Sequence, residues 1–187
     1  NNNWNMTMLR PKLFAPQISV ASLFGHAKHF QLLSPTGDTL TSQDVYSSTS
    51  SLAGSLINMM GCQAGLNIPE TNGDNSIDFP QSFARQGSTY IASTGWAYGV
   101  GGQIAYMERL LMLFSERLAS GHNRTIGDAL RNAKVDYASG LLGFGSQNAQ
   151  FTYYDEKTIA ETVLYGLPML RITQPTQSQA ATASDKA

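Results

Sequence analysis

Hydrophobic and polar positions fall into alternating blocks along this 187-residue chain. The apolar run from Ile18 to Phe24 predicts a strand, and it ends at Gly25-His26. A polar stretch follows, with the turn signal Ser34-Pro35-Thr36-Gly37-Asp38 and a short helix or loop over about 41–53. The next apolar run, Leu56 to Met60, predicts a buried strand closed by Gly61-Cys62; beyond it lie a polar loop from Asn67 to Asp78, a short helix from Phe79 to Gln86 and a strand from Thr89 to Ser93. Between Gln103 and Ser120, Ile104, Met107, Leu111, Phe114 and Leu118 recur at the three-four spacing of one helical face. Thr125 and Asp128 form a capping-box pattern that opens a second amphipathic helix through Ala129, Leu130, Ala133 and Tyr137. A third helix is expected over about Asp155 to Tyr165, and a last strand at Pro168–Ile172. Strands alternating with helices imply an α/β fold whose largely parallel sheet carries helices on its faces.

Composition narrows the function classes. With 42% hydrophobic residues the chain can bury one sizeable core, and one domain is the default. A net charge of −1 and a charged fraction of 13% give no basic face for nucleic acid. No run approaches the roughly 20 apolar residues of a membrane span. Low charge with abundant Asn, Gln, Ser and Thr suits a protein secreted from, or held at the surface of, a bacterium. Residues 1–17 read as an N-terminal lead-in after processing or truncation, 18–172 as the ordered domain, and 173–187 as a linker or disordered tail too polar to offset its ordering entropy.

The single cysteine, Cys62, excludes an internal disulfide and a multi-cysteine metal site. It stands where a buried strand yields to a Gly-bounded turn, at the carboxyl edge where open α/β sheets build their sites. His26 ends the upstream strand in the same way, so two neighbouring strands can present a thiol and an imidazole side by side. A lone cysteine at a strand end is, apart from that pairing, a small core residue, and His26 a strand-end cap.

Several segments, in order, resemble the gingipain family of cysteine peptidases, part of the caspase-like group: Gly25-His26, Cys62-Gln63-Ala64-Gly65, the run Ser88 to Gly99, Thr125-Ile126-Gly127-Asp128-Ala129-Leu130 and Leu164-Tyr165-Gly166-Leu167-Pro168. The resemblance implies a caspase-like three-layer sandwich in which the histidine follows the third strand and the cysteine the fourth. It implies a cysteine endopeptidase with Cys62 as nucleophile, His26 as general acid–base, and the N–H groups of Ala27 and Cys62 as oxyanion hole. Two positions depart from the family pattern. Ala27 stands where glycine is usual, adding a Cβ and restricting the dihedrals, and Leu167 replaces an acidic residue in the closing motif.

The same resemblance makes the loop after the Thr89–Ser93 strand a wall of the primary specificity pocket. Trp96 could stack there on an extended side chain, or be a packed loop aromatic, and Ser93, Thr94 and Gly95 could run beside the substrate backbone as an added strand. His29 is the rival histidine, expected to line the cleft or be solvated, and His122 reads as a turn residue. The 17 residues before Ile18 are too few for two strands and their crossovers, so the first strands are expected from a missing N-terminal segment or a separate chain that pairs with Ile18–Phe24. A third, orienting carboxylate would lie in that front part.

No cofactor is required by this chemistry, and the expected partner is a polypeptide substrate. Asn72 to Asp78 offers oxygen ligands for a structural calcium, but without Gly at the sixth position or Glu at the twelfth a solvated loop ending in the helix cap Asp78 is the better reading. Gly99-Val100-Gly101-Gly102 lacks the Lys-Ser/Thr ending of a P-loop. Two other classes stand beside the peptidase: an inactive caspase-like scaffold or binding module, made credible by Ala27, and a flavodoxin-like or nucleotide-binding domain with incidental Cys and His.

Overall fold

The structure is a computed structural model that describes residues 3–16, 18–68, 77–120, 125–143 and 151–172. The elements, in chain order, are α1 (Met6–Leu13), β1 (Val20–Phe24), β2 (His26–Lys28), β3 (Gln31–Leu33), β4 (Thr39–Thr41), α2 (Ser42–Tyr46), β5 (Leu56–Met60), α3 (Phe79–Arg85), β6 (Thr89–Ser93), α4 (Tyr106–Ser120), α5 (Ile126–Gly143), α6 (Tyr153–Glu161) and β7 (Thr162–Tyr165). The main sheet runs β1-β5-β6-β7, parallel across the first three strands and antiparallel at β7, while β2, β3 and β4 form a small antiparallel sheet.

Side-chain alternation in the central strands builds a core on each face of the main sheet. Ile57 and Met59 of β5, with Tyr90 and Ala92 of β6, pack against Leu13, Leu32, Leu40, Val45, Phe79 and Phe83. Leu56 and Ile91 point the other way, into Met107, Leu110, Leu111, Phe114, Ile126, Ala129 and Tyr137. Because both strands are covered on both sides, their sequences read as unbroken apolar runs. The result is a three-layer α/β sandwich with a mixed, mostly parallel sheet, as the sequence implies.

Four expectations are corrected. Helix α4 begins at Tyr106 rather than Gln103, and Ile104, assigned to its apolar stripe, is 65% exposed. Gly102 turns there in the left-handed region (φ 77°), and Val100 bridges to Gln103, so the chain reaches Ala105 without helical dihedrals. The helix expected to run to Tyr165 stops at Glu161, because Thr162-Val163-Leu164-Tyr165 is rich in β-branched and aromatic residues and finds an open edge on β6. Residues 168–172 are not a strand. The Pro168 and Leu170 carbonyls instead accept from Gly127 N (2.8 Å) and Ile126 N (2.9 Å), satisfying orphan donors at the start of α5.

The fourth correction concerns the segment after β1, where the polar stretch is a three-stranded meander. The Ser34–Asp38 turn falls where the sequence puts it, with Ser34 N bonded to Asp38 O at 2.9 Å and Gly37 at φ 90°. The lead-in, in turn, contains α1, capped by Asn5 Oδ1 on Met8 N (3.0 Å). Asp38 holds that helix start by accepting from Met6 N at 2.8 Å, and Arg10 ties it to Asp44 at 2.9 Å. The outer edge of β1 carries no strand among the described residues, and its Val20 and Phe24 are 40% and 45% exposed. The proposed tail after residue 172, His122 and residues 72–76 lie outside the described residues.

Candidate active site

Parallel register fixes the relation between the two candidate residues. Phe24 of β1 pairs with Met60 of β5, so His26 and Cys62 each lie two residues past the carboxyl ends of adjacent strands. Gly25 N extends the ladder to Met60 O at 3.1 Å. Both side chains line one cavity of about 480 Å³, together with Trp4, Phe24, Leu33, Met60, Ala97, Gly99 and Glu108. His26 is exposed at the start of β2, not in a loop, and Cys62 is half-buried.

The turn that carries Cys62 is pinned from several directions. Gln63 N donates to Gly95 O at 2.6 Å and Gly65 N to Ser93 O at 2.8 Å, while the buried Tyr90 hydroxyl donates to Ala64 O at 2.9 Å and that of Tyr165 to Gly65 O at 2.7 Å. Burial raises the pKa of both phenols, which keeps them protonated as donors. Gln63 itself sits at φ 58°, left-handed for a residue with a Cβ. Strain of this kind is held only where surrounding bonds over-determine it, and it follows the candidate nucleophile directly. The Cys62 N–H has no acceptor among the described residues, which leaves a backbone donor open beside the thiol.

Gly61 explains how closely the turn and the meander approach. A Cβ there would stand 2.5 Å from Ala27 Cβ, 2.9 Å from Gly25 O and 3.5 Å from Ala27 N. Ala27 therefore packs its methyl on Gly61, with its N–H next to the cysteine turn. It lies within β2 at a negative φ and needs no glycine dihedral.

The remaining sequence candidates are distributed differently. Trp96 is 60% exposed and does not line the cavity; its neighbour Ala97 does. Ser93 is buried in the β6–β7 ladder opposite Thr162, and Thr94 N donates to Glu161 O at 2.9 Å. Gly95 O is taken by Gln63 N and Ser93 O by Gly65 N. His29 is not among the residues that line this cavity. Its Nδ1 meets the buried Asp78 Oδ1 at 2.5 Å, and Asp78 Oδ2 accepts from Ile68 N at 2.7 Å. Asp78 caps α3 with Gln81, as expected for a cap. Among the described residues, no group of three or more His, Cys, Asp or Glu could hold a metal ion. Glu108 is the cavity residue that sequence reasoning missed, since a carboxylate in the first turn of an amphipathic helix reads as a solvated one.

A family model described as peptidase family C25 matches residues 16–173. The chain belongs to peptidase family C25. This is the gingipain family of cysteine peptidases, the one its motifs resemble, and the match covers all of the main sheet and every helix but α1. Membership sets aside the reading as a flavodoxin-like or nucleotide-binding domain. No curated protein matches the chain. Among the described residues no helix is long and apolar enough to cross a membrane.

Proposed function

We propose that the protein is a cysteine endopeptidase acting through a Cys62–His26 dyad. The observation that carries this reading is the shared cavity, lined by both side chains at the carboxyl ends of adjacent parallel strands. A free thiol is only a few per cent ionised at neutral pH, and a nearby imidazolium raises that fraction. The thiolate attacks the scissile carbonyl, and the oxyanion settles between the N–H groups of Cys62 and Ala27. His26 then protonates the leaving amine, and water hydrolyses the thioester with His26 as base. Trp96, exposed on the loop after β6, is free to stack on a substrate side chain.

The parallel edge of β1, which carries no strand among the described residues, supports a second element of the proposal: a separate N-terminal chain or segment completes the sheet there and brings any orienting carboxylate. Export to the cell surface or medium fits family membership and the low charge. An inactive scaffold is the competing reading, resting on Ala27. Labelling with a peptidyl electrophile separates the two. An active dyad gives a covalent adduct in wild type and none in Cys62→Ala, whereas an unreactive wild type establishes the scaffold.

A further inference from the structure

We infer that Glu161 is a positioning residue that braces the turn carrying Cys62 through the backbone of Thr94 and Gly95. The inference rests on the peptidase reading of the neighbouring cavity and adds to its machinery a residue that does not line it. Glu161 ends α6, next to the paired Ser93 and Thr162, so it stands beside the chain as that chain leaves β6. Its carbonyl accepts from Thr94 N at 2.9 Å and from Thr94 Oγ1 at 3.2 Å. Its carboxylate lies against Gly95, where a Cβ would stand 2.5 Å from Glu161 Cδ and 2.8 Å from Oε1. Gly95 O in turn accepts at 2.6 Å from Gln63 N, the first amide after the candidate nucleophile. These contacts link α6 to the cysteine turn.

Local energetics oppose a carboxylate at this position. As the last residue of a helix it faces the negative end of the macrodipole. Lys157 Nζ approaches Oε1 at 3.3 Å, but lysine four residues before glutamate is the weaker order of that pair. Oε2 is buried without a hydrogen-bond partner among the described residues, so its desolvation is uncompensated. A residue kept where dipole, pair order and burial are all unfavourable marks a site at which function overrides local stability. The function follows from the packing. Gly95 leaves a notch and the carboxylate fills it, so the loop cannot slide towards α6. Gln63 holds φ 58° only while surrounding bonds enforce it, and the bond to Gly95 O is one of them. A retreat of the loop lengthens that bond, lets Gln63 relax and moves the Cys62 N–H with it.

The test compares the full chain with Glu161→Ala, Glu161→Gln and Glu156→Gln, the last at an exposed position on the same helix. Two quantities are read: amide exchange at Gln63 relative to Tyr90 in the core, and kcat and KM, per folded protein, on a peptide whose cleavage requires Cys62. Glu161→Ala is expected to speed Gln63 exchange about tenfold relative to Tyr90. It is expected to lower kcat about tenfold or more while KM stays within about twofold. Glu161→Gln keeps the shape that fills the notch and retains most of both, and Glu156→Gln changes neither. The ratio to Tyr90 separates loosening of the turn from lower global stability. Unchanged Gln63 exchange in a folded Glu161→Ala, faster exchange with kcat unchanged, or a Glu161→Gln as impaired as Glu161→Ala overturns this inference alone. Wild-type cleavage no faster than in Cys62→Ala overturns the peptidase reading and the positioning role with it.

Discussion

Gly61→Ala probes the packing between the turn that carries the candidate nucleophile and the strand that carries the candidate imidazole. The added methyl would lie 2.5 Å from Ala27 Cβ and 2.9 Å from Gly25 O, where ordinary contact begins at 3.4 Å, so the cysteine turn and β2 must part by about 1 Å. Overpacking of this kind costs about 1–3 kcal/mol of stability. A 1 Å misplacement of reacting groups costs about 10²-fold in rate, or about 2.7 kcal/mol in the barrier. The assay is kcat/KM on a peptide whose cleavage requires Cys62, read beside thermal unfolding and the rate of Cys62 alkylation by iodoacetamide. The expected outcome is a roughly 10²-fold lower kcat/KM in a folded protein whose thiol still alkylates. Ala27→Gly in the same background removes the nearer clash and restores part of the rate, the Gly25 carbonyl contact remaining. Wild-type kcat/KM in Gly61→Ala, or a double variant no better than the single one, would show that this contact does not set the geometry.

Other outcomes follow from the same packing. Gln63→Val places a β-branched side chain at φ 58° and should lower stability by about 1–3 kcal/mol, measured by urea unfolding. Tyr137→Phe removes the donor that meets buried Asp155 Oδ1 at 2.7 Å, uncoupling α5 from α6 at a cost of about 1–3 kcal/mol in the same assay. The Asp38 carboxyl is held below its usual range, first by the Ser34 hydroxyl and then by Met6 N–H. A depressed folded pKa contributes stability above the unfolded value of 3.8 that is lost as pH falls through the lower folded value. Amide exchange at Met6 should therefore accelerate below that value in wild type, and be fast without this pH step in Asp38→Asn.

Legibility in the sequence tracked burial. Leu56–Met60 and Thr89–Ser93 were readable to the residue because strands covered on both faces leave no polar position to blur their ends. The meander was not, since strands of three residues are too short for alternation to show, and His26 consequently stands in a strand. The α6–β7 junction was hidden because Ile159, Val163 and Leu164 fit a helical face as well as a strand, and only the free edge of β6 decides between them. Cys62 and His26 were found from their position after apolar runs, a local signal. Glu108 was not, because its place beside Cys62 depends on how α4 docks on the sheet. The partners of His29 and Thr94 were hidden for a related reason, since Asp78 and Glu161 are distant from them in sequence.

The central claim is that thiol and imidazole act together in one cavity. Its most direct measurement is kcat/KM for peptide hydrolysis by wild type, Cys62→Ala and His26→Ala, each verified as folded. The account predicts no turnover above background in Cys62→Ala and a loss of about 10²–10⁴-fold in His26→Ala. Turnover that survives either substitution at the wild-type rate would contradict it.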